Sequence, residues 1–390
     1  MRDALVALGR VASTGSALLL DRCLPSGSAR PPYSLAQLDT AWLSRALRAR
    51  YPGLEVRAVE LLDVHSGTTT RARVRLDYSA RGSGPAPPEL LFVKIAPQAP
   101  AQRLFAVIFG LGRNEVALYE RLGDALPVRV PVLYGSACSG EGRRFALLLE
   151  DLTPTDARFA KVGDRASLED ARLVVDSLAR LHAAYWESPR LGADLAFLPR
   201  LESRRPNMAW ERFFTDQMLA RARRRFADEL PSEFTRAVEL CVRQRNRLEE
   251  LWARGDRTLV HGDCHIGNLF FEAREVGFFD WQVASCAPGM RDVSYFLCNS
   301  LPAELRGAHE RELITRYLEG LKAGGARVPG WNEAWQQHRL YALYSFLAAT
   351  FTAGAGDGLQ PREVALAGVR RGTRAVAELE ALALLEKKRV

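Results

Sequence analysis

The sequence lacks any uninterrupted run of eighteen or more apolar residues, the length that a helix needs to cross a bilayer. An apolar stretch near the start, residues 17–20, is short, and Arg10 and Asp21 carry charge close to it. A secretory signal would need a longer apolar core and a small-residue cleavage site. We therefore expect no membrane partner and interpret residues 1–24 as a packing helix or a loose arm.

Paired cysteines are also lacking. The six cysteines show no C-x-x-C pair and no regular spacing, so the sequence predicts neither a zinc site nor a disulfide framework. Unpaired thiols are typical of a reducing compartment, and we expect a cytoplasmic protein.

Acidic residues do not balance the basic ones, and the formal net charge is +8. A basic chain suggests nucleic acid as a partner, but the arginines are spread along the whole sequence. The densest cluster, residues 221–225, carries no interleaved aromatic side chain. This pattern favours a solvated helix face over a nucleic-acid site, so we expect no nucleic-acid partner.

The order of predicted elements indicates the fold class. With 390 residues the chain is too long for one compact core. Strand-like patterns at residues 56–78 and 90–95 come first, and after Asp151 helical patterns dominate, interrupted by one strand-rich interval at 259–283. This order predicts an α+β protein with a small β-rich lobe and a larger, mainly helical lobe. An N-terminal extension, the small lobe and the large lobe are expected at residues 1–32, 33–150 and 151–390.

The most informative stretch is residues 259–270 (LVHGDCHIGNLF), in which Asp263 precedes Asn268 by five positions between two apolar strands. Phosphoryl transfer passes through a loose transition state, so the protein mainly positions groups and neutralises charge. One carboxylate must accept the proton of the attacking hydroxyl, and an oxygen ligand must hold Mg²⁺ on the phosphates. The spacing H-x-D-x-x-x-x-N is that of a kinase catalytic loop, with Gly262 replacing arginine. It predicts Asp263 as the catalytic base.

A second acidic residue, Asp280, ends the next apolar strand in the segment VGFFDWQ. A kinase fold places its main magnesium carboxylate at this point. Mg²⁺ keeps several waters, so Asn268, Asp280 and phosphate oxygens are sufficient ligands. An isolated H-G-D is also typical of an ordinary turn, but its combination with Asn268 and Asp280 favours the metal site.

These two segments, residues 261–268 and 279–282, resemble those of the aminoglycoside phosphotransferase and choline kinase superfamily. Within it they are most similar to the ecdysteroid-kinase-like branch, and the resemblance covers residues 33–345. It implies a bilobal protein-kinase-like fold, ATP and Mg²⁺ as cofactors, and phosphorylation of a hydroxyl group on a small molecule.

The resemblance also implies a nucleotide-binding lysine. Lys94 lies in an apolar strand and matches the lysine that binds the α- and β-phosphates. A lone lysine there is costly without a partner, and the resemblance indicates Glu115 on the following helix. Glu120 is a rival partner, and an edge lysine reaching solvent is the structural alternative.

Other nucleotide contacts are implied at two places. The backbone groups of Glu150 and Leu152 match the hinge that hydrogen-bonds adenine. Gly67 and Thr68 lie in a one-glycine loop at the position of the phosphate-binding loop. An ordinary hairpin turn explains that loop as well.

Several residues near the motifs have structural interpretations. His182 lies on an apolar helix and is interpreted as a satisfied core histidine. His261 is interpreted as an organiser of the loop backbone, whereas His265 is left open as a phosphate or substrate contact. Asp292 stands where a first-turn helix acid belongs, and the resemblance implies that it braces the catalytic loop. Cys264 has no pattern of a nucleophile around it.

The acceptor is predicted only by class. Aminoglycosides are polycations whose sites should be rich in carboxylates, but residues 206–226 and 301–351 show no dense acidic cluster. These segments carry aromatic residues instead, namely Trp210, Phe213, Phe214, Trp331, Trp335, Tyr341, Tyr344 and Phe346. Such residues suit a fairly apolar small-molecule alcohol, although they also fit an ordinary core. Two alternatives stay open: an aminoglycoside or macrolide phosphotransferase, and a nucleotide-binding pseudokinase that acts as a regulatory module.

Overall fold

The chain divides into two compact units. The first unit consists of Met1–Leu126, Val130–Ala157 and Pro206–Glu211, and the second of Pro127–Arg129, Arg158–Arg205 and Arg212–Val390. The computed structural model describes residues 2–23, 30–79, 86–139, 141–160, 163–200, 208–357 and 360–386. Within these ranges, no helix is both long and apolar enough to span a membrane.

The first unit is built on a five-stranded antiparallel sheet with the strand order β1-β2-β3-β5-β4. Its strands are β1 (Val56–Ser66), β2 (Thr70–Tyr78), β3 (Leu90–Ile95), β4 (Leu133–Ser139) and β5 (Arg144–Glu150). Buried and exposed positions alternate along β2, where Val74 and Leu76 are buried and Arg75 is exposed. Because successive side chains point to opposite faces of a strand, this alternation buries one face of the sheet.

Helix α2 (Thr40–Leu47) packs on the buried face of this sheet. The unit contains α1 (Arg2–Cys23), α2 (Thr40–Leu47), α3 (Pro100–Ile108) and α4 (Leu111–Leu122). Trp42 and Leu47 of α2 join a hydrophobic core with Val93 of β3. Asp39 caps α2, because its carboxylate accepts a hydrogen bond from the Trp42 N–H at 2.7 Å.

The first helix is attached to the rest of this unit. Leu18 is buried, and the carboxylate of Asp21 accepts a hydrogen bond from Arg143 at 2.6 Å. Of the two interpretations, the packing helix describes residues 2–23, and residues 1 and 24 lie outside the described residues.

The second unit is mainly helical. Its helices are α5 (Leu168–Tyr185), most of α6 (Met208–Arg225), α7 (Ser232–Arg243), α8 (Arg245–Trp252), α9 (Met290–Ser300), α10 (Ala303–Ala323), α11 (Trp331–Ala355), α12 (Arg362–Glu378) and α13 (Ala383–Glu386). Its strands are β6 (Arg158–Phe159), β7 (Thr258–Val260), β8 (Leu269–Glu272), β9 (Glu275–Phe278) and β10 (Ser285–Ala287). They form two small sheets with the orders β6-β8-β9 and β10-β7.

Helix α9 is the central element of the second unit. Phe296 and Leu297 on α9 are fully buried, and the helix packs against α11, α12 and α10. Because α9 is held on several sides, its first turns can present polar side chains to the β7–β8 loop from a fixed position.

Candidate active site

The loop between β7 and β8 carries the sequence motif. Two strand pairings fix its ends: Val260 pairs with Ser285, and Leu269 pairs with Phe278. Inside the loop, Asn268 N–H donates to the His265 carbonyl at 2.9 Å, which closes a short turn of 3-10 helix. The loop is therefore anchored at both ends and folded on itself.

Gly262 allows the sharp bend at the start of the loop. Its φ is +85°, and a Cβ at this position would lie 2.3 Å from the Val283 carbonyl oxygen. Both the backbone conformation and the close approach therefore require glycine.

We expect Gly262→Ala to lower the free energy of unfolding by at least about 1–2 kcal/mol, the cost of the left-handed backbone alone. Gly53→Ala is the matched control, since Gly53 has a φ of +78° with nothing within 4 Å of its Cβ position. Urea denaturation should show a larger loss for the Gly262 variant. Equal losses would contradict the steric argument.

The Asp292 side chain is hydrogen-bonded to the backbone of the loop. Its two carboxylate oxygens accept hydrogen bonds from the N–H groups of His261, at 2.6 Å, and Gly262, at 2.8 Å. His182 Nε2 lies 3.3 Å from the same carboxylate, and all of these side chains are buried. Burial alone would raise the pKa of Asp292, but the hydrogen bond and charge of His182, with further help from His261 and Gly262, lower it. The predicted bracing role of Asp292 is confirmed.

The buried His182 and His261 are structural, as the sequence predicts. His182 Nδ1 lies 2.9 Å from the Tyr317 hydroxyl, so both of its ring nitrogens have partners. His261 accepts from the Asp263 N–H through Nδ1 at 3.3 Å, and its Nε2 lies 3.0 Å from the Phe279 carbonyl oxygen. Burial lowers the pKa of His261, which favours the neutral ring with its proton on Nε2.

The Asp263 carboxylate is partly exposed and held by neighbours. Asn268 Nδ2 donates to Asp263 Oδ2 at 3.1 Å and to the Asp263 carbonyl oxygen at 2.9 Å. The Tyr295 hydroxyl donates to Asp263 Oδ1 at 2.7 Å. His265 Nε2 lies 3.9 Å from Oδ2, and 36% of the Asp263 side chain is exposed. A carboxylate that is oriented and yet reachable suits proton abstraction from a bound group.

Asp280 lies beside Asn268. The Phe279 N–H donates to the Asn268 carbonyl oxygen at 3.1 Å, so the residue before Asp280 is joined directly to the loop. Asp280 adopts a left-handed conformation with a φ of +66°, which aspartate tolerates better than most residues. The structure thus brings Asp263, Asn268 and the backbone of Asp280 together in one region of the second unit.

The oxygen atoms of this region fit a magnesium ion. Because Asn268 Nδ2 points at two acceptors on Asp263, the orientation of the amide is determined and its Oδ1 is left for a ligand. An amide oxygen and the Asp280 carboxylate are hard donors of the kind Mg²⁺ prefers. Among the described residues, no group of three or more His, Cys, Asp or Glu side chains is placed to hold a metal alone. Asn268 and Asp280 would supply two oxygens, and water and phosphate oxygens would complete the shell of a bound Mg²⁺.

Lys94 and Glu115 form a buried ion pair in the first unit. Lys94 Nζ lies 2.8 Å from Glu115 Oε1 and 2.7 Å from Oε2, and the two residues are 3% and 1% exposed. The rival Glu120 instead accepts a hydrogen bond from Ser136 at 2.7 Å. The expected pairing of Lys94 with Glu115 is therefore present, while its role toward a nucleotide stays a prediction.

The predicted hinge groups lie where β5 ends. The Glu150 N–H donates to the Val132 carbonyl oxygen at 2.9 Å, so a contact from Glu150 to adenine would have to use its carbonyl. The Leu152 carbonyl accepts from Thr155 N–H at 3.1 Å. For the Leu152 N–H, the described part of the chain provides no acceptor, and this donor suits an adenine nitrogen.

Gly67 and Thr68 lie in the turn between β1 and β2. Gly67 N–H donates to the Thr69 carbonyl oxygen at 2.9 Å, which closes the turn. The segment is thus a hairpin turn, as the alternative interpretation had it, and its role in phosphate binding stays a prediction.

Sequence reasoning did not predict that two tyrosines contact the loop, although Tyr344 was among the aromatic residues considered for an acceptor pocket. Besides Tyr295, the Tyr344 hydroxyl of α11 donates to the Gly262 carbonyl oxygen at 2.9 Å. A signal for Tyr295 was present, since it follows Asp292 by three positions and residues with this spacing share a helix face. No local pattern marks Tyr344, which reaches the loop from a distant helix.

Three of the eight aromatic residues that were considered for an acceptor pocket belong to the core. Trp210, Tyr341 and Phe346 are buried, and Trp331 and Trp335 stack on each other with Arg311 over both rings. Phe213 is exposed, at 42%, and the other residues of this set are half-buried. The structural alternative stated for these residues therefore describes the three buried ones.

Comparison with known proteins agrees with this architecture. The chain is 16% identical to a protein of Ralstonia eutropha JMP134 assigned to the aminoglycoside phosphotransferases, with a TM-score of 0.51 over 87% of this chain and 98% of that one. It is 12% identical to choline kinase of Cryptosporidium parvum Iowa II, with a TM-score of 0.54 over 88% of this chain and 96% of that one. No curated protein sequence matches the chain.

The fold is thus an α+β protein-kinase-like fold, as predicted from the order of elements and from the resemblance. The profile of the ecdysteroid kinase-like family matches residues 68–327, which is more than half of the chain. The chain belongs to the ecdysteroid kinase-like family, and the resemblance inferred from its motifs is confirmed.

Proposed function

We propose that this protein is a small-molecule kinase that transfers the γ-phosphoryl group of ATP to a hydroxyl. The observation that carries the proposal is the Asp263 carboxylate, which is 36% exposed, held by Asn268 and joined through the loop to Asp280. Family membership and the fold support the same reaction class.

The second unit would supply the groups that act on the transferred phosphoryl. Asp263 accepts the proton of the acceptor hydroxyl while the bond from that oxygen to the γ-phosphorus forms and the bond from phosphorus to the bridging oxygen breaks. ADP leaves with the electron pair of the broken bond. Asn268 and Asp280 would hold Mg²⁺, which when bound neutralises phosphate charge.

The first unit would supply nucleotide contacts. Lys94 is kept in a fixed position by Glu115, and an oriented ammonium group suits the α- and β-phosphates. Leu152 N–H would donate to the adenine ring, and Gly67 and Thr68 would approach the phosphates. Each of these roles is carried over from the family pattern to a matching position.

The acceptor is proposed to be an uncharged, fairly apolar alcohol. The aromatic rings of Tyr295 and Tyr344 lie at the loop, with their centroids 5.4 Å apart. The Arg291 guanidinium, which donates to the Tyr344 hydroxyl at 2.7 Å, adds positive charge to the same neighbourhood. This cation offsets part of the negative charge of Asp263 and Asp280, which reduces the attraction of the loop for a polycationic acceptor.

A product screen tests the proposed function. Purified protein is incubated with MgATP and a library of steroid, terpenoid, polyketide, macrolide and aminoglycoside alcohols, and products heavier by one phosphoryl group are sought by mass spectrometry. We expect phosphorylated products from apolar alcohols. Products from aminoglycosides alone would contradict the acceptor class, and MgATP binding without any turnover would favour a pseudokinase.

Asp280→Ala should weaken the binding of ATP in the presence of Mg²⁺ by about tenfold or more, the effect of losing one charged metal ligand. ATP binding measured in EDTA should change little, because the carboxylate acts through the metal. Asp280→Asn is the matched variant, since asparagine tolerates the left-handed backbone and keeps one oxygen. Isothermal titration with and without Mg²⁺ separates the two contributions, and an equal loss in both conditions would contradict the metal role.

A further inference from the structure

Tyr295 is hydrogen-bonded to Asp263 but has no role in the mechanism proposed above. Its phenol donates to Asp263 Oδ1 at 2.7 Å, while Asn268 donates to Oδ2 at 3.1 Å. Each oxygen of the carboxylate thus has its own donor, and the two donors come from different elements. Rotation of the carboxylate would break at least one of these hydrogen bonds.

Tyr295 is itself held firmly. The residue is 8% exposed, and its ring lies against that of Tyr344, whose hydroxyl donates to the Gly262 carbonyl oxygen and accepts from Arg291. Burial and the negative charge of Asp263 raise the pKa of Tyr295 well above its ordinary value. The phenol therefore keeps its proton and acts as a donor at neutral pH.

Tyr295 lies on α9, a buried helix that also fixes the backbone of the loop. The same helix carries Asp292, whose carboxylate accepts from the N–H groups of His261 and Gly262. One buried helix thus fixes both the backbone before Asp263 and the carboxylate itself. A base held in this way can keep a constant direction toward the hydroxyl that it deprotonates, and orientation of a reacting group contributes strongly to rate.

We propose, on the basis of the phosphotransferase function proposed above, that Tyr295 is a positioning residue that orients the Asp263 carboxylate toward the acceptor hydroxyl. Tyr295 does not take the proton. It acts through Asp263, and the loss of its hydroxyl should slow the chemical step without changing the nucleotide contacts.

The contact can be tested without any enzymatic assay. In protein labelled with ¹³C at the tyrosine ζ carbon, the Tyr295 resonance is the one that disappears in Tyr295→Phe. We expect this resonance to shift in Asp263→Asn and to stay in place in Asp280→Asn. If the chemical shift of Tyr295 is the same in Asp263→Asn as in the wild type, the proposal is overturned.

Kinetics test the consequence of the contact. A hydrogen bond to a charged group corresponds to a rate effect of about tenfold to a hundredfold, so kcat of Tyr295→Phe should fall by that factor with an unchanged KM for ATP and an unchanged Tm. The assay uses the acceptor found by the product screen, or ATP hydrolysis by water. Tyr185→Phe is the control, because Tyr185 is a buried tyrosine on α5 beside Arg190, and its kcat should not change.

The outcomes separate this proposal from the proposed function. An unchanged kcat in Tyr295→Phe overturns the positioning role while leaving the kinase function intact. An equal fall in kcat and Tm indicates a structural role only and also overturns it. If the resonance shift is present but the wild-type protein turns over neither an alcohol nor water, the proposed function fails, and the positioning role fails with it.

Discussion

Replacement of Asp263 by alanine is expected to lower kcat by about 10²–10⁴-fold, the usual contribution of a positioned general base. The structure supports this size of effect because the carboxylate is both oriented, by Asn268 and Tyr295, and partly exposed. The affinity for MgATP should stay nearly unchanged, since the proposed nucleotide and metal contacts lie on other residues. Steady-state kinetics and isothermal titration on the same preparations measure the two quantities.

The control for this variant is Asp124→Ala. Three quarters of the Asp124 side chain is exposed, so the substitution removes a carboxylate without touching the loop, and kcat should not change. Nearly full activity in Asp263→Ala would show that another group accepts the proton. A parallel loss of MgATP affinity would show that Asp263 contributes to nucleotide binding instead.

The second large effect is expected for Asp292. Asp292→Ala leaves the N–H groups of His261 and Gly262 and the ring of His182 without their buried acceptor. We expect the free energy of unfolding to fall by about 3–5 kcal/mol, the range for breaking a buried charged network, together with most of the activity. Urea denaturation followed by circular dichroism measures the loss, and Asp292→Asn, which keeps one acceptor oxygen, should lose less.

The contribution of Asp292 to the free energy of unfolding should decrease only as the pH falls. Its pKa is lowered in the folded protein, so its contribution is fully present above the unfolded value, about 3.9, and is lost as pH falls through the folded value. The difference in stability between wild type and Asp292→Ala should therefore be constant near neutral pH and shrink only in strong acid. A difference that shrinks between pH 7 and pH 5 would contradict the lowered pKa of Asp292.

Much of the site could be predicted from the sequence. Asp263 and Asn268 are five positions apart in one short loop, so their spacing in the sequence brings them close together. A lone lysine in an apolar strand needs an acidic partner, such as Glu115. The roles of His182 and Asp292 could be predicted because a buried polar residue in an apolar helix needs partners. Only the pairing of Asp263 with Asn268 rests on a short distance along the chain. The predictions for Lys94, His182 and Asp292 rest on the resemblance or on the need of a buried polar group for a partner.

The aromatic residues show where such reasoning fails. Trp210, Tyr341 and Phe346 have the composition of a ligand pocket, but they are buried in the core. Composition cannot tell a pocket from a core, because both are apolar. Only the packing of complete helices decides which faces are covered.

The motif, the spacing of its polar groups and the order of strands and helices follow from the residue types, and they were enough to predict the fold class and the family. Two contacts exist only in the folded chain: Tyr344 of α11 donates to the Gly262 carbonyl, and Tyr295 of α9 donates to the Asp263 carboxylate. The physical reason is that each of these hydrogen bonds joins residues more than thirty positions apart. Such contacts depend on how buried helices pack, and no local preference of the chain encodes them.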